Sequence, residues 1–493
     1  MVISCLPVIA VVAPIIGGII AFRVGKTSEY ARNLISVAAT IVSFLAITAM
    51  APAVLKGKII EYVLVSGEIA PLPINFRVDF LSLFIAWECS FDWILATVYS
   101  HRYMEPLHAR SRYYLFMALT LSAVIGALLT KNLFALFIFF EAMLLTSYVL
   151  VIHEETPEAM SAGRIYLFLG IATGLFMFLG ILITYILAGT LDLGHGGILG
   201  GVHGSILNIL FVAFVVGAAA KAGIFPVHIW LPVAHPIAPS PASAILSGVL
   251  VKEGCYVMIR VIYDVFGLEL MRTMGVCKWL VLIAGITIFF GSAVAIKQIN
   301  LKTMLGYSTV SQMGYIFMGA ALLTPTALQG AILHIFHHSM MKSALFLCAG
   351  AFIYKTGIRD IDKMAGMGKK MPITMTVFSI AALSMIGVPP LVGFMSKWYL
   401  CLGALEAGKL MLMAFVAVLL LSSLMNAVYY MPIIINAFFG GDEHGKEIEP
   451  DDVPPSMSVP MVMLAIGIMI FGILVSISSL TLVRPVISAI FGV

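Results

Sequence analysis

The sequence is poor in charge. Aspartate, glutamate, lysine and arginine make up 11% of its 493 residues, less than half the share of about 25% found in soluble proteins. Too little polar surface is present to coat the several globules that a chain of this length would otherwise form. The net charge is only +4, which points to no nucleic-acid partner. Cysteine is scarce as well. Cys5, Cys89, Cys255, Cys277, Cys348 and Cys401 contain no CxxC pair and mostly lie in apolar stretches. Iron–sulfur, zinc and disulfide frameworks are therefore not expected, and packing of small apolar side chains is. No basic region precedes the apolar residues 2–22, so a cleaved signal peptide is not expected. Also lacking is any hydrophilic stretch long enough for a soluble catalytic domain.

What the sequence has is long apolar runs. Hydrophobic residues make up 61% of it, and its mean hydropathy is +1.08. A membrane span needs about 20 apolar residues. Fourteen segments meet that need, near 2–22, 33–55, 79–100, 113–130, 132–152, 162–188, 206–233, 240–262, 277–296, 302–323, 327–354, 372–404, 410–438 and 460–488. The class this predicts is an all-α polytopic membrane protein. Residues 56–78 alternate and turn, which predicts a β-hairpin outside the membrane. Residues 189–205 form a Gly/His-rich loop, and 441–458 an acidic, proline-containing one. His195 and His203 in the former lack a third ligand, so no metal is expected there. Loops after odd-numbered segments hold 14 Lys and Arg, including Lys302, against 8 after even-numbered ones, including Arg260. By the positive-inside rule the odd loops are cytoplasmic and both termini lie outside.

Two segments carry helix breakers. The seventh reads GAAAKAGIFPVHIWLP, with Pro226 and Pro232. The twelfth reads SMIGVPPLVGFMSKWYL, with Gly387, Pro389, Pro390 and Gly393. Proline removes a backbone donor, and within a bilayer such breaks occur where a helix lines a cavity or packs on protein. The breaks lie five segments apart, each near a lysine, which predicts a repeat of about five helices.

A charge at mid-membrane costs about 2.5–3.5 kcal/mol on insertion scales, so several of them imply a use or a partner. Glu141 lies mid-way along the fifth segment, Lys221 at the break of the seventh, and Lys252 and Glu253 in the eighth. His334, His338 and Lys342 fall at i, i+4 and i+8 in the eleventh, one stripe of a helix. Lys397 follows the second break, and Ser308, Ser311, Gln312 and Tyr315 give the tenth a neutral polar stripe. The chemistry this set suits is proton relay, because a nearby opposite charge or its removal shifts a buried lysine strongly, and histidine titrates near neutrality. Against that stand plainer readings. Glu141 and Lys221 could instead form a static ion pair, though the functional reading is favoured; His337 would be a structural residue, and Glu88 and Asp92 of the third segment packing groups or contacts to partner subunits.

The stretches FEAMLLTSYVL, KAGIFPVHIWLPVAHPIAPSPASAILSGVLVKEGCYVMIR, LGYSTVSQMGYI, HIFHHSMMKSALFLCAG, RDIDKMAGMGKKMP and GVPPLVGFMSKW together resemble one family. It is the antiporter-like subunits shared by respiratory complex I, Mrp-type cation/proton antiporters, and archaeal membrane-bound hydrogenases and sulfane reductases. The resemblance runs from about residue 75 to 435 and is greatest to the D-type members of Mrp antiporters and their archaeal respiratory counterparts. It implies fourteen helices, with inverted five-helix repeats in segments 4–8 and 9–13 and broken seventh and twelfth helices. The chain then divides into 1–112, with three helices and the hairpin; 113–262, the first repeat; 263–438, the second; and 439–493, the acidic loop and last helix. The long lateral helix of the largest members is not expected.

The resemblance also implies roles. Glu141 and Lys221 match the family's fifth-helix glutamate and seventh-helix lysine, and Lys252 its central lysine. His334 and His338 match relay positions, and Lys397 the terminal lysine. Glu253, Lys342, Ser311 and Gln312 are accessory candidates. Glu253 departs from the expected small or apolar residue and would act on Lys252. The expected function is proton translocation within a multisubunit complex, coupled to a redox reaction or to sodium/proton exchange. No catalytic centre and no cofactor is expected in this chain; iron–sulfur clusters or a nickel–iron site would belong to partner subunits. Expected partners are Mrp-like membrane subunits, hydrogenase-like or complex I-like redox subunits, the lipid bilayer, protons and sodium, in the cell membrane. Three rivals remain open: a stand-alone solute transporter, a quinone-binding redox subunit, and a structural subunit without pumping.

Overall fold

A computed structural model of the chain describes residues 2–65, 74–194, 196–408, 410–440, 450–474 and 478–492. His195, the hairpin tip at 66–73 and most of the acidic loop (441–449) lie outside the described residues. The first residues form a short strand rather than the start of a span. β1 (Val2–Ile3) pairs parallel with β2 (Ile60–Val65), which pairs antiparallel with β3 (Ile74–Val78), placing Ile60 opposite Val78. The helices before and after this sheet are α1 (Leu6–Val24), α2 (Glu29–Val54), α3 (Phe80–Tyr103), α4 (Arg110–Leu129), α5 (Leu133–Val151), α6 (Pro157–Ala188) and α7 (Ile206–Ala222). There follow α8 (Trp230–Ala234), α9 (Ser240–Ile245), α10 (Val251–Arg260), α11 (Leu268–Met274), α12 (Cys277–Ala295), α13 (Leu301–Ala321) and α14 (Pro325–Thr356). The chain continues through α15 (Met367–Lys370), α16 (Pro372–Ile386), α17 (Val392–Glu406), α18 (Leu410–Phe439), α19 (Pro455–Ile473) and α20 (Arg484–Phe491).

Among the described residues, nine helices are long and apolar enough to cross a membrane: α1 to α6, α12, α18 and α19. The protein is thus a multi-pass, mostly helical membrane protein. Length and composition do not single out α13 and α14, although both are long. Their burial explains this. In α14 an almost unbroken run from Ala327 to Phe352 is buried, His334, His337, His338 and Lys342 included. α14 packs against α3, α9, α13, α16, α17 and α19. A helix surrounded by protein need not be apolar, because its polar groups meet other helices instead of lipid. At the other extreme, α6 turns Phe168, Leu175, Phe176, Leu182 and Ile186 outward.

Both expected breaks are present. α7 stops at Ala222 and is capped by Gly223 at φ +76°. α16 stops at Ile386 and is capped by Gly387 at φ +99°. Left-handed backbone of this kind favours glycine, which has no Cβ to clash. The eighth segment differs from the single regular helix expected of it. Between α9 and α10 the chain takes a π-helical turn over Leu246–Leu250, and a second follows α10 at Val261–Phe266. Such turns shift carbonyls out of the regular ladder and occur often at functional sites.

At one end of α10, Arg260 is clamped by two carboxylates. It donates to both oxygens of Asp79 at 2.8 Å and to Asp264 at 2.7 Å. It is therefore a buried tie between α3 and α10 rather than a loop charge. Lys302 is likewise buried, with Nζ donating to the Ala238 carbonyl at 2.5 Å. From the described part of the acidic segment, Asp452 caps α16, accepting from the backbone N–H groups of Ile373 and Thr374 at 2.8 and 3.0 Å. A carboxylate there satisfies donors that the first helical turn leaves unpaired.

Candidate functional site

The ionisable residues of the helix interiors form three clusters. The first is built at the end of α7. Lys221 occupies its last turn, where a cation complements the carbonyl-rich helix end. Its Nζ donates to Tyr166 Oη at 3.2 Å and stands 5.5 Å from the ring centroids of Phe140 and Tyr166. Tyr166 Oη in turn shares a 2.6 Å hydrogen bond with Ser147 Oγ. The indole of Trp230, just past the break, donates to the Ala220 carbonyl at 2.6 Å and so satisfies the opened helix end.

Glu141 faces the same small cavity, about 20 Å³, lined also by Tyr166, Thr173 and Gly217. That volume suffices for a single water. Glu141 Oε1 is buried without a hydrogen-bond partner. Its carboxylate lies against Gly174, where a Cβ would collide with it. Glu141 and Lys221 are not joined as an ion pair within 4 Å among the described residues, so the static pair does not describe this geometry. Glu253 is fully buried with both oxygens unpartnered. Adjacent helical positions point apart, which sends the Glu253 and Lys252 side chains to different neighbours.

The second cluster holds Lys252. It is fully buried, and its Nζ donates to the Ser247 carbonyl, which lies in the π-helical turn. On the facing α3, Asp92 is hydrogen-bonded to Ser339 and Ser343 at 3.0 and 2.6 Å, and Glu88 lies one helical turn before it. Sequence reasoning left this pair without a role. Their i, i+4 spacing was a signal, for it puts both on one helix face.

The third cluster joins α13, α14 and α17. His334 Nε2 meets Gln312 Oε1 at 2.9 Å, and its Nδ1 meets Ser396 Oγ at 2.8 Å. Its ring stacks on Tyr315 at 5.5 Å and lies 5.8 Å from that of His338. Lys397 Nζ stands 5.4 Å from the same Tyr315 ring. It donates to the carbonyls of Met385 and Ile386 at 2.7 and 3.2 Å and to Ser423 Oγ at 3.0 Å. Thus Lys397 binds the open end of α16, as Lys221 ends α7. His338 is fully buried with neither ring nitrogen hydrogen-bonded.

The accessory candidates separate. Gln312 belongs to the third cluster. Ser311 does not: it bonds Ser292 at 2.9 Å and the Ile288 carbonyl at 3.0 Å, tying α12 to α13. Lys342 donates to the Leu305 carbonyl at 3.0 Å and to Tyr430 Oη at 3.5 Å. From Tyr430 a polar chain runs through Ser308 and Tyr429 to Asn426, which donates to the Met385 carbonyl that Lys397 also holds. Tyr429, Tyr430 and Asn426 escaped sequence reasoning, because isolated polar residues in an apolar helix do not declare which way they face. The buried cations thus fall into three groups, one at each break and one between, and histidine, tyrosine and serine side chains thread the third. Such groups accept and release protons without leaving the interior.

A family profile described as NADH:quinone oxidoreductase/Mrp antiporter, TM, matches residues 130–422. NADH-quinone oxidoreductase subunit N of Desulforudis audaxviator is 35% identical over 95% of each chain. A Na(+)/H(+) antiporter subunit of Alkalihalophilus pseudofirmus is 33% identical over 77% of this chain and 76% of its own. Among solved structures, a chain of the Mrp complex from a Dietzia species superposes with a TM-score of 0.87. It covers 99% of this chain and 97% of its own, at 23% identity.

Proposed function

Since the chain belongs to the family of NADH:quinone oxidoreductase and Mrp antiporter transmembrane subunits, we propose that it moves protons across the cell membrane as one subunit of a multisubunit complex. Glu141 and Glu253 tune Lys221. Protons pass among Lys221, Lys252, His338, His334 and Lys397, with Gln312, Ser396 and Tyr315 orienting the last steps. Lys342 feeds the same end through Tyr430 and Asn426. Two inverted five-helix repeats, segments 4–8 and 9–13, each containing a broken helix and its lysine, would carry these stations. Both termini lie outside.

One observation carries this reading. Lys221, Lys252 and Lys397 are buried in the helical interior, and among the described residues none has a carboxylate within 4 Å. Unpaired lysines are costly at such depth, and a static structural role would be served better by paired or apolar residues. The same observation weighs against a purely structural or quinone-binding subunit. Coupling is to a redox reaction or to sodium/proton exchange, as the names of the two relatives indicate, and redox cofactors reside in partner subunits.

The test is proton flux in vesicles holding the native complex. Lys221→Ala or Glu141→Ala should abolish coupled flux while subunit composition stays intact. Normal flux with either substitution would contradict the relay. Iron–sulfur subunits co-purifying with the chain would assign the redox drive, and Mrp-like membrane subunits alone the exchange drive.

A further inference from the structure

Asp92 is a buried acid that the relay described above leaves unused. It lies in the middle of α3 at 1% exposure, and α3 packs on both α14 and the π-helical turn Leu246–Leu250. Two hydroxyls of α14 bind one of its oxygens. Asp92 Oδ2 lies 2.6 Å from Ser343 Oγ and 3.0 Å from Ser339 Oγ. Ser339 Oγ lies closer still, at 2.5 Å, to the Gly248 carbonyl of the π-helical turn. Ser339 therefore joins the acid to the turn. Glycine makes this approach possible, because a Cβ on Gly248 would stand 2.3 Å from Ser343 Oγ. The peptide just before Gly248 carries the Ser247 carbonyl, which receives Lys252 Nζ. On another side, Ser247 Oγ is tied to Thr309 Oγ1 of α13 at 2.7 Å.

The protons of this network can be counted. A hydroxyl carries one, and a carbonyl oxygen has none to give. The 2.5 Å contact to Gly248 thus takes the proton of Ser339. The contact between Ser339 Oγ and Asp92 Oδ2 then needs a proton from Asp92. A protonated acid supplies it and still accepts from Ser343 on the same oxygen. The surroundings of Asp92 call for the same state. Its Oδ1 is buried without a partner, and among the described residues it forms no ion pair within 4 Å. Glu88, one turn earlier on α3, is another acid and offers no countercharge. A lone carboxylate in such a place is expensive, and protonation removes the cost.

We propose that Asp92 is a neutral, proton-donating acid that positions the π-helical turn through Ser339, and with it the carbonyl that anchors Lys252. It is a positioning residue, for it binds Ser339 and Ser343 and not the lysine. A π-helical turn holds its carbonyls out of the regular ladder, so donors from other helices keep its shape. Once Gly248 is released, the turn relaxes toward regular helix and the Ser247 carbonyl leaves its place beside Lys252 Nζ. This proposal rests on the proton-relay reading and adds to it what holds Lys252 in position.

The experiment measures proton flux in vesicles holding the native complex, after subunit composition has been checked. Infrared spectra of the same samples follow the C=O stretch of protonated carboxyls, which shifts in D2O. Asp92→Asn keeps an uncharged donor toward Ser339, whereas Asp92→Ala keeps none. Asp92→Asn should retain most of the flux and lose the signal of one protonated carboxyl. Asp92→Ala should lower flux several-fold. Ser339→Ala leaves the acid in place but cuts its link to Gly248, and it should lower flux to a similar degree. That variant decides the matter if Asp92→Ala fails to assemble. Rescue by asparagine, with loss from both alanine variants, supports the proposal. Equal loss of flux in Asp92→Asn and Asp92→Ala would show that the acid must ionise or exchange its proton, and would overturn it. So would an unchanged carboxyl signal in Asp92→Asn, or full flux in Ser339→Ala. Lys221→Ala is the control. If it leaves flux normal, the relay itself has failed; if it abolishes flux while Ser339→Ala does not lower it, only the present proposal has.

Discussion

Lys397 Nζ donates at 2.7 Å to the carbonyl of Met385, one residue before α16 ends. The lysine that follows the second break therefore binds the helix end that precedes it. This places a cation on a carbonyl that the broken helix cannot satisfy itself. Asn426 donates to the same carbonyl at 3.0 Å, so the carbonyl keeps a partner without the lysine. Lys397→Ala should abolish proton flux. It should destabilise the chain by only about 1–3 kcal/mol, the scale of a hydrogen bond to a charged group, because Asn426 remains. Thermal unfolding and vesicle flux measured on one preparation check both parts.

Glu141 is held against Gly174 on α6. Gly174→Ala would place a methyl group where the carboxylate lies and push it from the cavity it shares with Lys221. The carboxylate is the far end of a flexible side chain, so it can move aside at little cost to stability. Flux should fall toward that of Glu141→Ala even though no ionisable group has been removed. An assembled Gly174→Ala complex with full flux would show that the position of the carboxylate is unimportant.

The two histidines of α14 should respond differently. His334 bridges Gln312 and Ser396, so His334→Ala strands buried polar atoms at about 1–3 kcal/mol for each group left unsatisfied. His338 makes no hydrogen bond. His338→Phe fills similar space and loses none, so stability should hold while flux drops. Equal stability losses in the two variants would count against this distinction.

Outside the spans, His153 sits just beyond α5 with its Nε2 against the His108 carbonyl at 3.1 Å. Burial, followed by the neighbouring Arg112, lowers its pKa from 6.5 to about 4. Below 6.5 the unfolded chain binds a proton that the folded ring refuses. The stability present at neutral pH is therefore lost progressively between pH 6.5 and about 4, at up to about 1.4 kcal/mol per pH unit for one group. His153→Gln should flatten the acid limb of a stability–pH profile. An unchanged slope would place the acid sensitivity elsewhere.

Much of this architecture was legible in the sequence. Pro226 and Pro389 marked the breaks because proline cannot continue a helix, and Gly223 and Gly387 end those helices as glycine permits. Glu141, Lys221, Lys252 and Lys397 stood out because charge within an apolar run is conspicuous. Facing was less legible. Glu88 and Asp92 lie in a helix buried on most sides, so no apolar stripe marks one face as outward. The π-helical turn at Leu246–Leu250, which presents the Ser247 carbonyl to Lys252, leaves no mark in hydropathy. Lys302 and Arg260 counted as loop charges by position, but tertiary packing buries them. Ser311, grouped with Gln312 by adjacency, points with its hydroxyl to a different helix.

The most direct test of the account is proton flux through the native complex with Lys252→Ala, beside a Lys252→Arg variant that keeps the charge but does not release its proton near neutrality. A relay through Lys252 predicts that both variants assemble with the full set of subunits and neither moves protons. Flux retained by Lys252→Arg would mean that the lysine supplies only a fixed charge. Flux retained by Lys252→Ala would mean that protons cross this protein, if at all, by another route.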